Sequence, residues 1–66
     1  MNLIVNGEKT RLDHAPNVAA LVAALELDSR KLAVELNLEI VPKSLYAQTP
    51  LKDGDRLEIV QFVGGG

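Results

Sequence analysis

The sequence predicts an α+β fold, with one amphipathic helix packed on one face of a mixed sheet and elements in the order ββαββ. Three observations support this: a β-branched run ending in Asn6-Gly7, an alanine-rich stretch with a single apolar stripe, and later runs that alternate apolar and polar residues. The chain divides into a folded body over residues 1–63 and a flexible glycine tail over 64–66.

Leu3-Ile4-Val5 opens the body as a strand, and Asn6-Gly7 is the dipeptide that most favours a tight hairpin because both residues accept positive φ. Lys9 to Leu12 then returns antiparallel to the first strand. Asn17 is placed to cap a helix whose apolar residues Val18, Leu21, Val22 and Leu25 fall at i, i+3, i+4 and i+7. Ala19, Ala20, Ala23 and Ala24 fill the other positions with the best helix former. Leu27 falls about 180° from the stripe, so the helix ends near Glu26.

Leu32 to Leu38 places Leu32, Val34, Leu36 and Leu38 on one side and Ala33, Glu35 and Asn37 on the other, as in a half-buried strand. The short run Glu39-Ile40-Val41 stops at Pro42, which cannot donate to a ladder and belongs at an edge. Thr49 to Asp55 is turn chemistry, and Arg56 to Val63 is the last strand. There Leu57 and Ile59 share the phase that faces the helix, whereas Val60 and Phe62 fall in the other phase with Glu58. A regular pleat points Val60 and Phe62 outward as a docking patch for a partner, which Ile4 extends from the first strand; a bulge near Val60 would instead swing Phe62 inward.

Composition excludes several function classes. The formal charge is −2 and the seven basic residues, Lys9, Arg11, Arg30, Lys31, Lys43, Lys52 and Arg56, are scattered, so no stripe follows a phosphate backbone. Tyr46 and Phe62 are the only aromatics, which leaves little to stack on bases. No apolar run of about 18 residues and no leader-like opening is present, so neither membrane nor export is expected and the default location is the cytoplasm. With no cysteine, the chain has no disulfide and no thiolate for a metal or for sulfur.

A catalytic set is also missing. His14, the only histidine, lies in a polar loop without a second ligand for a metal, and neither Ser29 nor Ser44 has a histidine at a useful spacing. Glu35 with Glu39, and Asp53 with Asp55, read as a solvated strand face and a turn. The most informative feature is the ending Phe62-Val63-Gly64-Gly65-Gly66, in which glycines follow a strand directly. From Val63 such an arm spans roughly 10 to 14 Å, enough to carry the Gly66 carboxyl into a partner's cleft.

Asn2 to Glu8, Ala33 to Lys43, Leu51 to Val60 and the terminal Gly65-Gly66 together resemble the ThiS family of sulfur carriers in thiamine biosynthesis, ubiquitin-like proteins of the β-grasp fold. The resemblance covers essentially the whole chain. Two departures stand out. Leu38 occupies a position where the family usually has Gly, which disfavours a two-residue turn there, and Tyr46 stands where Trp is expected.

The resemblance implies that Gly66 is the sulfur-carrying residue and that Gly64 and Gly65 thread into partner sites. A ThiF-type adenylating enzyme, using ATP and Mg²⁺, converts the Gly66 carboxylate into an acyl-adenylate. Sulfur from a cysteine desulfurase persulfide then yields a thiocarboxylate, which the thiazole synthase ThiG consumes. The chain itself is implied to bind no cofactor, to be a co-substrate and not an enzyme, and to be monomeric alone. Alternatives are the small subunit of molybdopterin synthase (MoaD-like), which delivers sulfur to a pterin precursor, a ubiquitin-like modifier joined to proteins through its C-terminus, and an interaction module with an inert tail.

Overall fold

Asn6 and Gly7 take φ values of 51° and 81°, the paired positive φ of a tight two-residue hairpin. They join β1 (Asn2–Val5) to β2 (Glu8–Arg11) in the computed structural model, which describes residues 1–62. The glycine tail Gly64–Gly66, and its boundary at Val63, lie outside the described residues.

The helix α1 (Val18–Ala24) starts where the sequence places it, with Asn17 Oδ1 accepting from the Ala20 N–H at 2.8 Å. Val18, Leu21 and Val22 are buried and Leu25 is half-buried, so the stripe faces the sheet. Its end is a paired reversal: Glu26 N–H donates to the Ala23 carbonyl at 3.0 Å and Leu27 N–H to the Val22 carbonyl at 3.1 Å. Glu26 adopts the left-handed conformation (φ 57°) that this reversal needs, and the turned chain packs Leu27 against the core despite its helical phase.

Beyond a single 3₁₀ turn at Ser29–Lys31 come β3 (Leu32–Leu36), β4 (Glu39–Val41), a 3₁₀ helix at Lys43–Gln48 and β5 (Arg56–Gln61). The short run before Pro42 is a strand in its own right, so three strands follow the helix and the sheet has five, in the order β2-β1-β5-β3-β4. β1 runs parallel to β5 and the other neighbours are antiparallel, which makes the sheet mixed. Leu3, Val18, Leu21, Leu32, Val34 and Leu57 are fully buried between helix and sheet.

The turn at Asn37-Leu38 differs from expectation. Leu36 pairs with Glu39, and Asn37 and Leu38 have φ of 51° and 74°, so the tight two-residue turn forms despite Leu at its second position. Asn37 imposes it. Its N–H donates to the Arg56 carbonyl at 2.7 Å, its Nδ2 to Asp55 Oδ1 at 3.0 Å, and its Oδ1 accepts from the Arg56 N–H at 3.0 Å. Three bonds to the start of β5 outweigh a left-handed Leu, which costs roughly 1–2 kcal/mol.

Candidate functional site

The site is the outer end of β5, from which the chain continues toward Gly66. β5 is the central strand, between β1 and β3. Its register with β3 is unbroken from Leu36↔Leu57 to Leu32↔Gln61, so the pleat is regular and no bulge re-aims Phe62. Leu57 and Ile59 are buried, whereas Val60 and Phe62 are 58% and 52% exposed on the opposite side.

Ile4 shares that open face but is half-buried, level with Lys9 on β2 and with Arg56 on β5. Arg56 and Glu58 therefore separate it from Val60 along the strand. The apolar continuation lies on the other side: Val60 pairs with Ala33, the next open-face residue of β3 is Glu35, and Glu35 pairs with Ile40, which is 74% exposed. Sequence reasoning left Ile40 out of the patch because a three-residue edge strand gives too short a pattern to assign a face.

Two anchors hold the end of β5. On the β3 side, Phe62 N–H donates to the Lys31 carbonyl at 2.7 Å. That carbonyl ends a 3₁₀ turn stapled by Asp28, whose Oδ1 accepts from Arg30 N–H and Nε at 3.0 and 3.1 Å and whose Oδ2 accepts from Arg30 Nη2 at 3.0 Å. The Arg30 hydrogen bonds hold the Asp28 carboxyl down to about 2. On the β1 side, Asn6 Oδ1 accepts from Ile59 N–H at 2.7 Å and Asn6 Nδ2 donates to the Ile59 carbonyl at 3.2 Å.

Asp55 secures the other end of β5. It is buried and accepts from Asn37 Nδ2 and from Lys52 N–H at 2.9 Å, with Lys52 Nζ 3.7 Å away. Burial pushes its carboxyl up, but the bonds from Asn37 and Lys52 outweigh that and leave it below the ordinary carboxylate range. Asp55 is thus an enclosed structural acid and not part of a solvated turn. Its neighbour Asp53 accepts from Asn2 N–H at 2.7 Å. Glu35 pairs with Ile40 while Glu39 pairs with Leu36, so the two glutamates point to opposite faces and cannot act together.

His14, Ser29 and Ser44 are exposed, and among the described residues no three metal-ligating side chains cluster. Asn6, Asn37 and Asp55 carry the site's framework and were not singled out as such by sequence pattern. The available signal was two asparagines each opening a strand-to-strand turn, but their partners on β5 are distant in sequence.

One helix on a five-stranded mixed sheet, whose central last strand leads into the glycine end, defines a ubiquitin-like β-grasp carrier. Residues 3–66 match the profile of the ThiS family, and the chain belongs to that family, the sulfur carriers of thiamine biosynthesis. The crystal structure of the thiamine biosynthesis protein ThiS from Geobacter metallireducens superimposes with a TM-score of 0.84 at 40% identity, covering 100% of both chains. The sulfur carrier protein ThiS of Bacillus subtilis is 46% identical over 46 residues, 70% of each chain. A thiazole synthase of Paramagnetospirillum magneticum is 58% identical over 66 residues; the match takes in 100% of this chain but only 20% of that protein's length.

Proposed function

We propose that the α-carboxylate of Gly66 is the group that carries sulfur, and that residues 1–63 are the handle that presents it. A carboxylate is a poor electrophile because its delocalised charge repels nucleophiles. An oxygen of Gly66 attacks the α-phosphorus of ATP in a ThiF-type enzyme with Mg²⁺ and pyrophosphate leaves. The terminal sulfur of a cysteine desulfurase persulfide then displaces AMP to form an acyl disulfide, and a thiol reductant cleaves its S–S bond, giving the thiocarboxylate and returning the desulfurase cysteine as its thiol. The thiocarboxylate is consumed by a thiazole synthase, the activity named for two relatives that contain a segment similar to this whole chain. Gly64 and Gly65 provide the slim approach, since a Cβ at either would widen the arm where it enters a cleft.

The observation that carries this reading is the placement of the tail root: the central strand ends at Gln61, between exposed Val60 and Phe62, and Val63 and the glycines follow in sequence. Val60 and Phe62, with Ile40 across the face and Ile4 at its far side, form the surface on which the partner rests. The chain supplies no catalytic group and binds no cofactor itself. It works in the cytoplasm as a monomer that visits its enzymes in turn.

The test is intact mass after incubation with ATP, Mg²⁺, an adenylating enzyme, a persulfide donor and a thiol reductant. Exchange of one terminal oxygen for sulfur is expected. Larger covalent adducts on other proteins would make the chain a modifier, and an unchanged mass would remove the carrier reading.

A further inference from the structure

We infer that Asn6 is a positioning residue for the tail: its carboxamide holds the outer part of β5 on the β1 side, beyond the point where the β1 backbone has turned away. The inference rests on the carrier reading for its functional consequence, and on geometry alone for its structural one. The cross-strand pairing of β1 with β5 ends at Val5↔Leu57, and Asn6 N–H donating to the Leu57 carbonyl at 2.8 Å is the last backbone bond between them. The N–H and C=O of Ile59 also face the β1 side, where the chain has already turned away.

The Asn6 side chain takes the place of the missing strand residue. A carboxamide is neutral and carries both an acceptor and donors, so it can satisfy an N–H and a C=O together as a peptide group would. Its bonds to Ile59, at 2.7 and 3.2 Å, are made while Asn6 itself sits at φ 51° in the hairpin turn. Few residues meet both demands. Gly accepts the backbone but brings no amide, Asp brings only an acceptor at neutral pH, and Ala accepts neither role well.

Past Ile59, β5 is held on one side only, by Val60↔Ala33, Gln61↔Leu32 and the Phe62 bond to Lys31. Removing the Asn6 amide leaves this outer segment free to fray back from its end, and with it the direction in which the tail sets out. Misplacement of a reacting group by about 1 Å costs up to 10²-fold in rate.

The experiment compares wild type, Asn6→Gly and Asn6→Asp by amide hydrogen exchange and by ATP–pyrophosphate exchange with an adenylating enzyme that accepts the wild-type chain. In Asn6→Gly the Phe62 amide, bonded on the far side of the strand, should exchange about tenfold faster while those of Leu3 and Val34 change far less, the pattern of local fraying. Asn6→Asp keeps the acceptor for Ile59 N–H and should fall between. The kcat of Asn6→Gly should drop about tenfold and its KM should rise with it, because Val60 and Phe62 lie on the segment that frays. Unchanged Phe62 exchange, a uniform rise at all amides, or a wild-type kcat despite selective fraying would overturn the proposal. If wild type itself is not adenylated, the carrier reading falls instead, and the hydrogen-exchange arm still decides whether Asn6 holds the tail root.

Discussion

The N–H of Phe62 donates to the carbonyl of Lys31 at 2.7 Å, binding the last described residue of the chain to the turn that opens β3. Through this bond Phe62 continues the ladder that joins β5 to the start of β3. The side chain of Phe62 meanwhile points to the open face with Val60. One short segment thus combines a backbone bond to the neighbouring strand's first turn with an exposed apolar pair.

Replacing that apolar surface should separate docking from stability. Val60→Ser with Phe62→Ser removes exposed side chains, so the unfolding free energy from urea titration should change by no more than about 0.5 kcal/mol. The KM for the adenylating enzyme should rise about tenfold or more, as loss of an apolar anchor predicts. An unchanged KM would place the docking surface elsewhere.

Leu38 is 84% exposed and gains nothing from packing, yet it sits at φ 74°. Leu38→Gly relieves the left-handed conformation and should stabilise the protein by about 1 kcal/mol in urea unfolding. A loss of stability would mean that the Leu38 side chain makes a contribution the strain does not outweigh.

Asp55 makes folding sensitive to acid. Its folded pKa lies below the ordinary 3.8, with the burial penalty outweighed by hydrogen bonds from Asn37 and Lys52. The stabilisation is therefore complete above 3.8 and is lost as pH falls through the depressed folded value. Asp55→Asn should cost about 1–3 kcal/mol at neutral pH and flatten the acid limb of the stability curve. Asp28, held at about 2 by Arg30, also contributes to the acid limb, but it is exposed and its share should fade with added salt while that of Asp55 persists. Urea unfolding from pH 7 down to the acid limb, at low and high salt, measures both, and an acid limb in Asp55→Asn identical to wild type would contradict the assignment.

Tyr46 is buried, and its hydroxyl makes no hydrogen bond of good geometry, only a weak interaction with the Val34 backbone. Burial raises the pKa of its phenol and outweighs that interaction, which works in the opposite direction. Tyr46→Phe should be neutral or stabilising by about 1 kcal/mol, read from thermal unfolding, because little is lost but a largely unmet desolvation penalty. Clear destabilisation would show that the hydroxyl has a partner in solution.

Much of this architecture was legible residue by residue. The stripe Val18, Leu21, Val22 gives one helix and one buried face, Asn6-Gly7 gives the first hairpin, and the phase break between Ile59 and Val60 gives an exposed pair beside the tail. These are local patterns, set within a turn or two of chain. What pattern could not reach depends on partners far along the sequence. The Asn37-Leu38 turn is imposed by Asp55 and Arg56, 18 and 19 residues from Asn37, and Asp55 looks like any turn acid until Asn37 covers it. Ile40 joins the open face only because β3 lies between β4 and β5.

The central claim concerns Gly66, and mass spectrometry of two chains decides it most directly. The full chain and one lacking Gly65 and Gly66 are each incubated with ATP, Mg²⁺, an adenylating enzyme, a persulfide donor and a thiol reductant, after both are shown to unfold at the same temperature. The full chain should gain sulfur in place of one terminal oxygen and the shortened chain should be returned unchanged; equal sulfur uptake by the two would contradict the claim.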